Sequence, residues 1–200
     1  MNTVAHTLRV DSMTREDGMS VSKEAMHEAG HAVVACVLGF TVTRIDIIPR
    51  EVPNAGGELG RAGAEIDMPT VSSIAGKGES SVREVLAVLY AGIASERIVD
   101  PDSRIEENCD VSDGDRALEY AATAIFPLVL KNGHYVMEVN PDRLKSFLSQ
   151  SEDFATDLVK KHQKAIVALA TLLQVEKELN GDEIEDCIAS FLSQDDCHDL

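Results

Sequence analysis

The sequence contains no tryptophan, and aromatic residues make up only 4% of its 200 residues. A hydrophobic core must therefore be built from aliphatic side chains, which the 44% hydrophobic share allows in a chain of one-domain size. Basic residues are scarce as well, since 18 Lys and Arg stand against 35 Asp and Glu and give a formal net charge of −17. Without a basic patch or stripe, we expect no nucleic-acid partner.

Cysteine pairs and long apolar runs are also missing. None of the four cysteines forms a C-x-x-C pair, which argues against a cysteine zinc knuckle, and we expect Cys36 to be a small core residue. The first twenty residues lack the apolar region of a secretory signal, and the longest apolar run, residues 32–40, is too short to span a bilayer. We therefore expect a cytoplasmic protein with no membrane span and no disulfide framework.

A nucleotide-binding loop is absent from the sequence. The pair Gly76-Lys77 does not open a Walker A motif, because Val71 stands where the pattern requires glycine. Gly78 follows the lysine at the position that requires Ser or Thr. We expect no nucleotide-hydrolysing module in this chain.

The most informative segment that is present is His27-Glu28-Ala29-Gly30-His31, an H-E-x-x-H motif. Residues four apart lie on one face of a helix, so His27 and His31 can bind one metal ion. Glu28 can then reach a metal-bound water, which is the arrangement that a zinc hydrolase needs.

The alternative is a helix with two exposed or capping histidines, and the surrounding residues argue against it. Residues 26–38 are small or apolar on almost every face, which predicts a buried helix. Buried histidines and a buried carboxylate need partners, and a metal ion would serve all three. Gly30 costs about 1 kcal/mol in a helix interior, so it indicates a place where a neighbour approaches closely.

The pattern along the chain predicts a mainly α (α+β) fold with a small β-sheet after the motif helix. Ser20 or Ser22 caps that helix, which ends at Gly39, and a strand follows that either lies in the core or pairs with an extended substrate. An extended segment near Leu59 and a loop at 66–80 come next. Helices are predicted over 82–99, after a Ser81 cap, and over 113–128. A short helix then starts at Pro141, a longer one at Ser151, and a final helix covers 182–192.

A catalytic zinc needs a third protein ligand. His6 and His198 lie in expected tails, His134 in an expected turn, and His162 on an apolar helix face. Carboxylates are better candidates, and spacing alone leaves several open, because aspartates at a helix start also act as caps. These candidates are Asp110, Asp113, Asp115 and Glu96.

Over residues 20 to 190, the sequence resembles the peptidase domain of FtsH-type ATP-dependent zinc metalloproteases. The likeness is carried by segments 25–32 (AMHEAGHA), 44–50 (RIDIIPR), 58–60 (ELG), 91–96 (AGIASE), 113–121 (DGDRALEYA) and 169–184. The resemblance implies that Asp113 is the third zinc ligand. It also implies that Glu96 is a helix carboxylate just outside the ligand set.

The resemblance further implies a helical zinc-metalloprotease domain over residues 20–200, after a flexible tail at 1–19. Its expected activity is that of a zinc (Zn²⁺) metalloendopeptidase acting on unfolded or delivered protein, with Glu28 activating a zinc-bound water. The family forms hexameric rings beneath an AAA ATPase, which predicts a homo-oligomer and a separate ATPase partner. The alternative is a protease-like module that binds or regulates such rings without cleaving.

The sequence departs from the family pattern at a few positions. Ala91 replaces the first residue of a Gly-Gly pair, and Ile93 replaces the following arginine. After the Leu-Gly turn, Arg61 stands where the family has an aromatic residue or valine, and Ala62 stands where it has threonine. These departures bear on substrate choice and ring assembly more than on zinc binding.

Overall fold

The structure is a computed structural model that describes residues 20–48, 50–51, 59–60, 63–74, 77–104, 113–126 and 128–195. Of these residues 67% are helical, and the strands form small antiparallel sheets, which confirms the mainly α (α+β) class. The predicted tail at 1–19 lies outside the described residues. The described helices are α1 (Lys23–Val37), α2 (Val71–Ile74), α3 (Glu79–Val99), α4 (Asp113–Ile125), α5 (Pro141–Lys161), α6 (Gln163–Glu176) and α7 (Gly181–Asp195).

The strands in the described part of the chain are short. They are β1 (Val42–Asp46), β2 (Arg50–Glu51), β3 (Leu59–Gly60), β4 (Gly63–Ile66), β5 (Leu128–Lys131), β6 (His134–Met137) and β7 (Glu178–Asn180). One three-stranded sheet has the order β4-β1-β7, and β2-β3 and β5-β6 form separate pairs. The small sheet predicted after the motif helix is therefore confirmed.

Helices α1 and α3 form the centre of the core. Both are buried over most of their length; α6 packs on α1, and α4 and α5 pack on α3. The largest fully buried side chains are aliphatic or Met, as the lack of aromatic residues predicts, and include Met26, Leu86, Ile166 and Leu169. Histidines placed on α1 therefore face other helices rather than solvent.

Local signals set the ends of α1 as predicted. The Ser22 hydroxyl accepts a hydrogen bond from the Ala25 amide at 3.2 Å, which satisfies one free N–H of the first turn. After the helix, Gly39 takes a positive φ of 81°, a conformation that glycine adopts without a steric penalty. Contacts within one turn of each end therefore define where the motif helix starts and ends.

Strand β1 is the central strand of its sheet, which decides between the two roles predicted for it. Residues Arg44 to Asp46 pair with β4 on one side and β7 on the other, both antiparallel. Over these residues both edges of the strand are occupied, and Ile45 is fully buried. The strand belongs to the core, and the idea that it pairs with a substrate is wrong for this segment.

Two predictions for the segment before α3 are wrong. The region predicted as loop at 66–80 contains the short helix α2, whose Ile74 is buried in the core. Helix α3 begins at Glu79, before the predicted Ser81 cap, and its flanking residue Gly78 has a φ of 97°. The positive φ at Gly78 turns the chain into the helix without a side-chain cap.

The predicted boundary at Ser151 is also wrong, because α5 runs without a break from Pro141 to Lys161. Asn140 caps it as predicted, by accepting a hydrogen bond from the Arg143 amide at 3.0 Å. The Ser151 hydroxyl instead donates to the Phe147 carbonyl at 2.8 Å, one turn earlier in the same helix. The break comes at His162, and α6 begins at the next residue, Gln163.

A β-hairpin was not predicted between α4 and α5. Helix α4 ends at Ile125 rather than at residue 128, and β5 and β6 follow as an antiparallel pair. The turn between them is Asn132-Gly133, with φ values of 51° and 82°. Leu128, Leu130 and Tyr135 are 61%, 63% and 73% exposed, so these side chains of the hairpin lie outside the core, while Met137 packs against it.

No helix in the described part of the chain combines the length and the apolarity that crossing a membrane requires.

Candidate metal centre

Three potential metal ligands converge where α1, α3 and α4 meet. The Nε2 atoms of His27 and His31 are 2.9 Å apart, and they lie 3.3 and 3.1 Å from Oδ2 of Asp113. Within the described residues this is the one group of three or more His, Cys, Asp or Glu side chains arranged to hold a metal ion. The His27, His31 and Asp113 cluster could therefore hold a metal ion.

The other ring nitrogen of each histidine has its own partner. Nδ1 of His27 lies 2.7 Å from Oε1 of Glu96, and Nδ1 of His31 donates to the Val88 carbonyl at 2.7 Å. A carbonyl oxygen only accepts hydrogen bonds, so the proton of neutral His31 lies on Nδ1. The same holds for His27 against the Glu96 carboxylate. These bonds orient both rings and leave the Nε2 lone pairs directed at Asp113.

This arrangement requires positive charge between the three side chains. Two nitrogen lone pairs and a carboxylate oxygen within 3.3 Å of one another repel unless a cation or a proton lies among them. Burial lowers the pKa of His27, but its hydrogen bonds to Asp113 and Glu96 outweigh this effect and raise the pKa to about 10. Burial raises the pKa of Asp113, yet the two histidines hold it well below the usual range. In the absence of metal, a proton supplies the charge.

Two glycines let α1 and α3 come close enough to build the centre. A Cβ at Gly30 would lie 2.6 Å from the Ala91 carbonyl oxygen, so only glycine fits at this crossing. A Cβ at Gly92 would lie 2.5 Å from Nε2 of His31 and 2.6 Å from Nε2 of His27. The close neighbour predicted from Gly30 is therefore α3, and Gly92 leaves the space that the two imidazoles occupy.

Glu28 lies beside the cluster without belonging to it. Its side chain is on the buried part of α1, and the residue is 6% exposed. Among the described residues the carboxylate forms no hydrogen bond, so its oxygens remain available to another proton donor. Burial raises the pKa of Glu28, and the two histidines oppose this effect in part. A carboxylate of this kind is suited to take up and release a proton.

Asp113 reaches the centre from the first turn of α4. Its Oδ1 atom is 3.8 Å from the Arg116 guanidinium in the same turn, while Oδ2 faces the imidazoles. Of the other candidates for the third ligand, Asp115 is exposed on the same turn and Asp110 lies outside the described residues. Glu96 contacts the outer nitrogen of His27 rather than the cluster, which is the position that the resemblance implies for it.

The remaining histidines and cysteines lie elsewhere or outside the description. His134 is exposed on the hairpin, and His162 is 7% exposed at the junction of α5 and α6, in keeping with the predicted surface and core positions. Cys36 and Cys187 are free and half-buried. The residues that fall outside the described ones are His6, His198, Cys109 and Cys197.

Two contacts that support the centre were not predicted. The Val88 carbonyl is a main-chain group, so no residue type in the sequence could indicate it. Ser103, 8% exposed, donates a hydrogen bond to Oε2 of Glu96 at 2.6 Å. A serine in a polar segment after a helix is common, and only the folded geometry distinguishes this one.

The donor set fits a zinc ion in chemistry and in spacing. Two donors that each lie 2.0–2.1 Å from a tetrahedral zinc are about 3.3 Å apart, and the observed separations are 2.9 to 3.3 Å. Three protein donors are also the number that catalytic zinc sites use.

The chain matches no family model, and no curated protein matches it significantly.

Proposed function

We propose that the protein is a zinc-dependent metalloendopeptidase of the FtsH type, with His27, His31 and Asp113 as the zinc ligands. The observation that carries the proposal is the convergence of these three side chains beside the buried carboxylate of Glu28. The geometry supports a metal site, and the H-E-x-x-H motif with its surrounding segments supports the protease chemistry.

Zinc is the metal that this donor set favours. Two neutral imidazoles and one carboxylate resemble the His₂-carboxylate sites of known zinc peptidases, whereas Mg²⁺ and Ca²⁺ prefer oxygen ligands alone. A bound zinc would polarise the scissile carbonyl and lower the pKa of a coordinated water towards ~7.

Glu28 carries the proton transfers in this proposal. Its carboxylate accepts a proton from the attacking water and then passes it to the amine that leaves. Burial raises the pKa of Glu28, which suits the first role, because a raised pKa makes its carboxylate a stronger base than an ordinary glutamate. Its lack of a hydrogen bond to the described residues leaves both oxygens free for this exchange.

The proposed substrates are unfolded or delivered polypeptides. These 200 residues contain no nucleotide-binding loop, and an AAA ATPase is the proposed partner for the work of unfolding a substrate. A homo-oligomeric ring is proposed on the resemblance alone. Both partners are secondary to the chemistry of the site.

The test is Glu28→Gln, with Glu24→Gln as the matched control on the exposed first turn of the same helix. We expect one zinc per chain in the wild type and in both variants. Cleavage of an unfolded casein-type substrate should fall at least ~100-fold in Glu28→Gln and stay at the wild-type level in Glu24→Gln.

Two results would overturn the proposal. Cleavage by Glu28→Gln at the wild-type rate would remove Glu28 from the mechanism. Wild-type protein that binds no zinc and cleaves nothing, while it binds an ATPase ring, would favour the regulatory module instead.

A further inference from the structure

Ser103 lies just beyond the end of α3, on the side of Glu96 that faces away from the metal centre. Its hydroxyl donates to Oε2 of Glu96 at 2.6 Å, and Oε1 of the same carboxylate lies 2.7 Å from Nδ1 of His27. The two oxygens of Glu96 thus have different partners. One points to the ligand histidine, and the other points to Ser103.

The position of Ser103 is fixed by its main chain as well as by its hydroxyl. Its amide donates to the Asp100 carbonyl at 3.0 Å, and its carbonyl accepts from Nε of Arg97 at 3.2 Å. Arg97 also pairs with Glu152 on α5 at 2.9 Å, and Asp100 forms an ion pair with Lys23 on α1. The segment that carries Ser103 is therefore anchored to three helices.

The contact from Ser103 restricts the orientation of Glu96 and therefore of the His27 ring. A carboxylate that holds His27 through one oxygen can still rotate and tilt unless the other oxygen is also held. The Ser103 hydroxyl supplies a contact of this kind at Oε2, so the end of α3 takes part in setting the plane of Glu96 and, with it, the His27 ring.

We propose that Ser103 is a positioning residue of the metal centre, which orients Glu96 so that Nε2 of His27 faces His31 and Asp113. The proposal rests on the metal site of the proposed function. Groups outside the ligand set typically change metal affinity 10- to 100-fold when removed. Because Ser103 acts through Glu96, we expect the lower end of that range.

The test compares three substitutions at this position with one control. Ser103→Ala removes the donor, Ser103→Cys replaces it with a weak donor, and Ser103→Thr keeps the hydroxyl. The control is Ser151→Ala, which removes a fully buried serine hydroxyl that bonds only within α5 among the described residues. Zinc affinity is measured by competition with a chelator, and the Co²⁺-loaded proteins are compared by visible absorption.

We expect zinc to bind about tenfold more weakly to Ser103→Ala and Ser103→Cys than to the wild type, with an altered Co²⁺ spectrum. Ser103→Thr and Ser151→Ala should keep the wild-type affinity and spectrum. Thermal unfolding of the metal-free proteins shows whether each variant is folded, and the cysteine variant keeps the test open if the alanine variant is not.

The outcomes separate this inference from the proposed function. Wild-type affinity and an unchanged spectrum in Ser103→Ala would refute the role of Ser103 while the zinc site stands. An equal loss in Ser151→Ala would show that the effect is general weakening of the fold. A wild-type protein that binds neither metal would refute the site itself.

Discussion

Adding one methyl group at Gly92 should abolish tight metal binding and leave the fold almost unchanged. The new Cβ would lie 2.5 Å from Nε2 of His31 and 2.6 Å from Nε2 of His27. Ordinary contact begins at 3.4 Å, so the nearer ring must move by about 0.9 Å. The atoms that must move are the proposed ligand atoms themselves.

The size of the effect follows from how little displacement a metal site tolerates. Ligand distances in zinc sites vary by about 0.2 Å, far less than the shift that Gly92→Ala demands. We expect zinc affinity to fall at least ~100-fold, or about 2.7 kcal/mol. The metal-free fold should change by no more than ~1 kcal/mol, because the imidazoles are side-chain ends that can rotate and alanine favours the helix.

Gly30→Ala is the matched control, since it places a methyl group at the same helix crossing from the other side. Its Cβ would meet the Ala91 carbonyl oxygen at 2.6 Å, and main-chain atoms inside α3 cannot move independently. We expect this variant to lose ~1–3 kcal/mol of stability without metal, as overpacked cores do. Chelator competition measures the affinities, and thermal unfolding in EDTA measures the stabilities.

Gly92→Ala should therefore lose zinc affinity, whereas Gly30→Ala should lose stability in the absence of metal. Gly92→Ala with wild-type zinc affinity would refute the placement of the imidazoles against α3. An equal loss of metal-free stability in both variants would show that both glycines serve packing alone.

Three further predictions concern single groups. Asp113→Ala should lower zinc affinity at least ~100-fold in a chelator titration, whereas Asp115→Ala in the same helix turn should leave it unchanged, and equal losses would point to the helix dipole instead of ligation. Zinc at 1,000 times its dissociation constant should stabilise the protein by ~4 kcal/mol and raise the unfolding temperature by roughly 8–16 °C, and an unchanged melting curve would argue against a site that forms only in the native state. Burial and, to a smaller extent, the Glu185 carboxylate raise the pKa of Cys36 to about 11. Alkylation of this thiol at pH 8, followed by mass spectrometry, should therefore be ~100-fold slower in the folded protein than in urea. Equal rates would show that the folded protein has an accessible thiolate at Cys36.

The parts of the fold that local signals determine could be predicted from the sequence. The Ser22 cap and Gly39 bound α1, and Asn140 with Pro141 starts α5, because each acts within one helical turn of its own position. The relative positions of the two histidines and Glu28 could also be predicted locally, since helix geometry alone fixes their spacing on one helix.

The hairpin between α4 and α5 has a local sequence signal at its turn. Asn132-Gly133 between apolar segments is a strong hairpin pattern, and both residues take the positive φ that such a turn requires. The prediction continued α4 to residue 128, yet the Leu128 side chain is 61% exposed in a strand. Apolar character alone did not distinguish a core helix from an exposed strand.

The third proposed ligand and the groups that support the site could not be predicted from the residues alone. Asp113 lies 82 positions from His31, and only the packing of α4 on α3 brings it within 3.1 Å of Nε2. Asp115 has the same charge and a similar place in the sequence, so spacing could not separate the two. The choice of Asp113 came from the resemblance, and the geometry now supplies an independent reason for it.

The metal centre and the helical core cannot be separated in this chain. His27 and His31 owe their positions to the crossing of α1 and α3, which requires Gly30 against Ala91 and Gly92 against the imidazoles. The same crossing brings Val88 and Glu96 to the outer ring nitrogens, so one helix contact sets the spacing, orientation and protonation of both histidines. A chain that kept the five motif residues and Asp113 but carried alanine in place of Gly92 would keep the proposed ligands and lose the space that their imidazoles occupy.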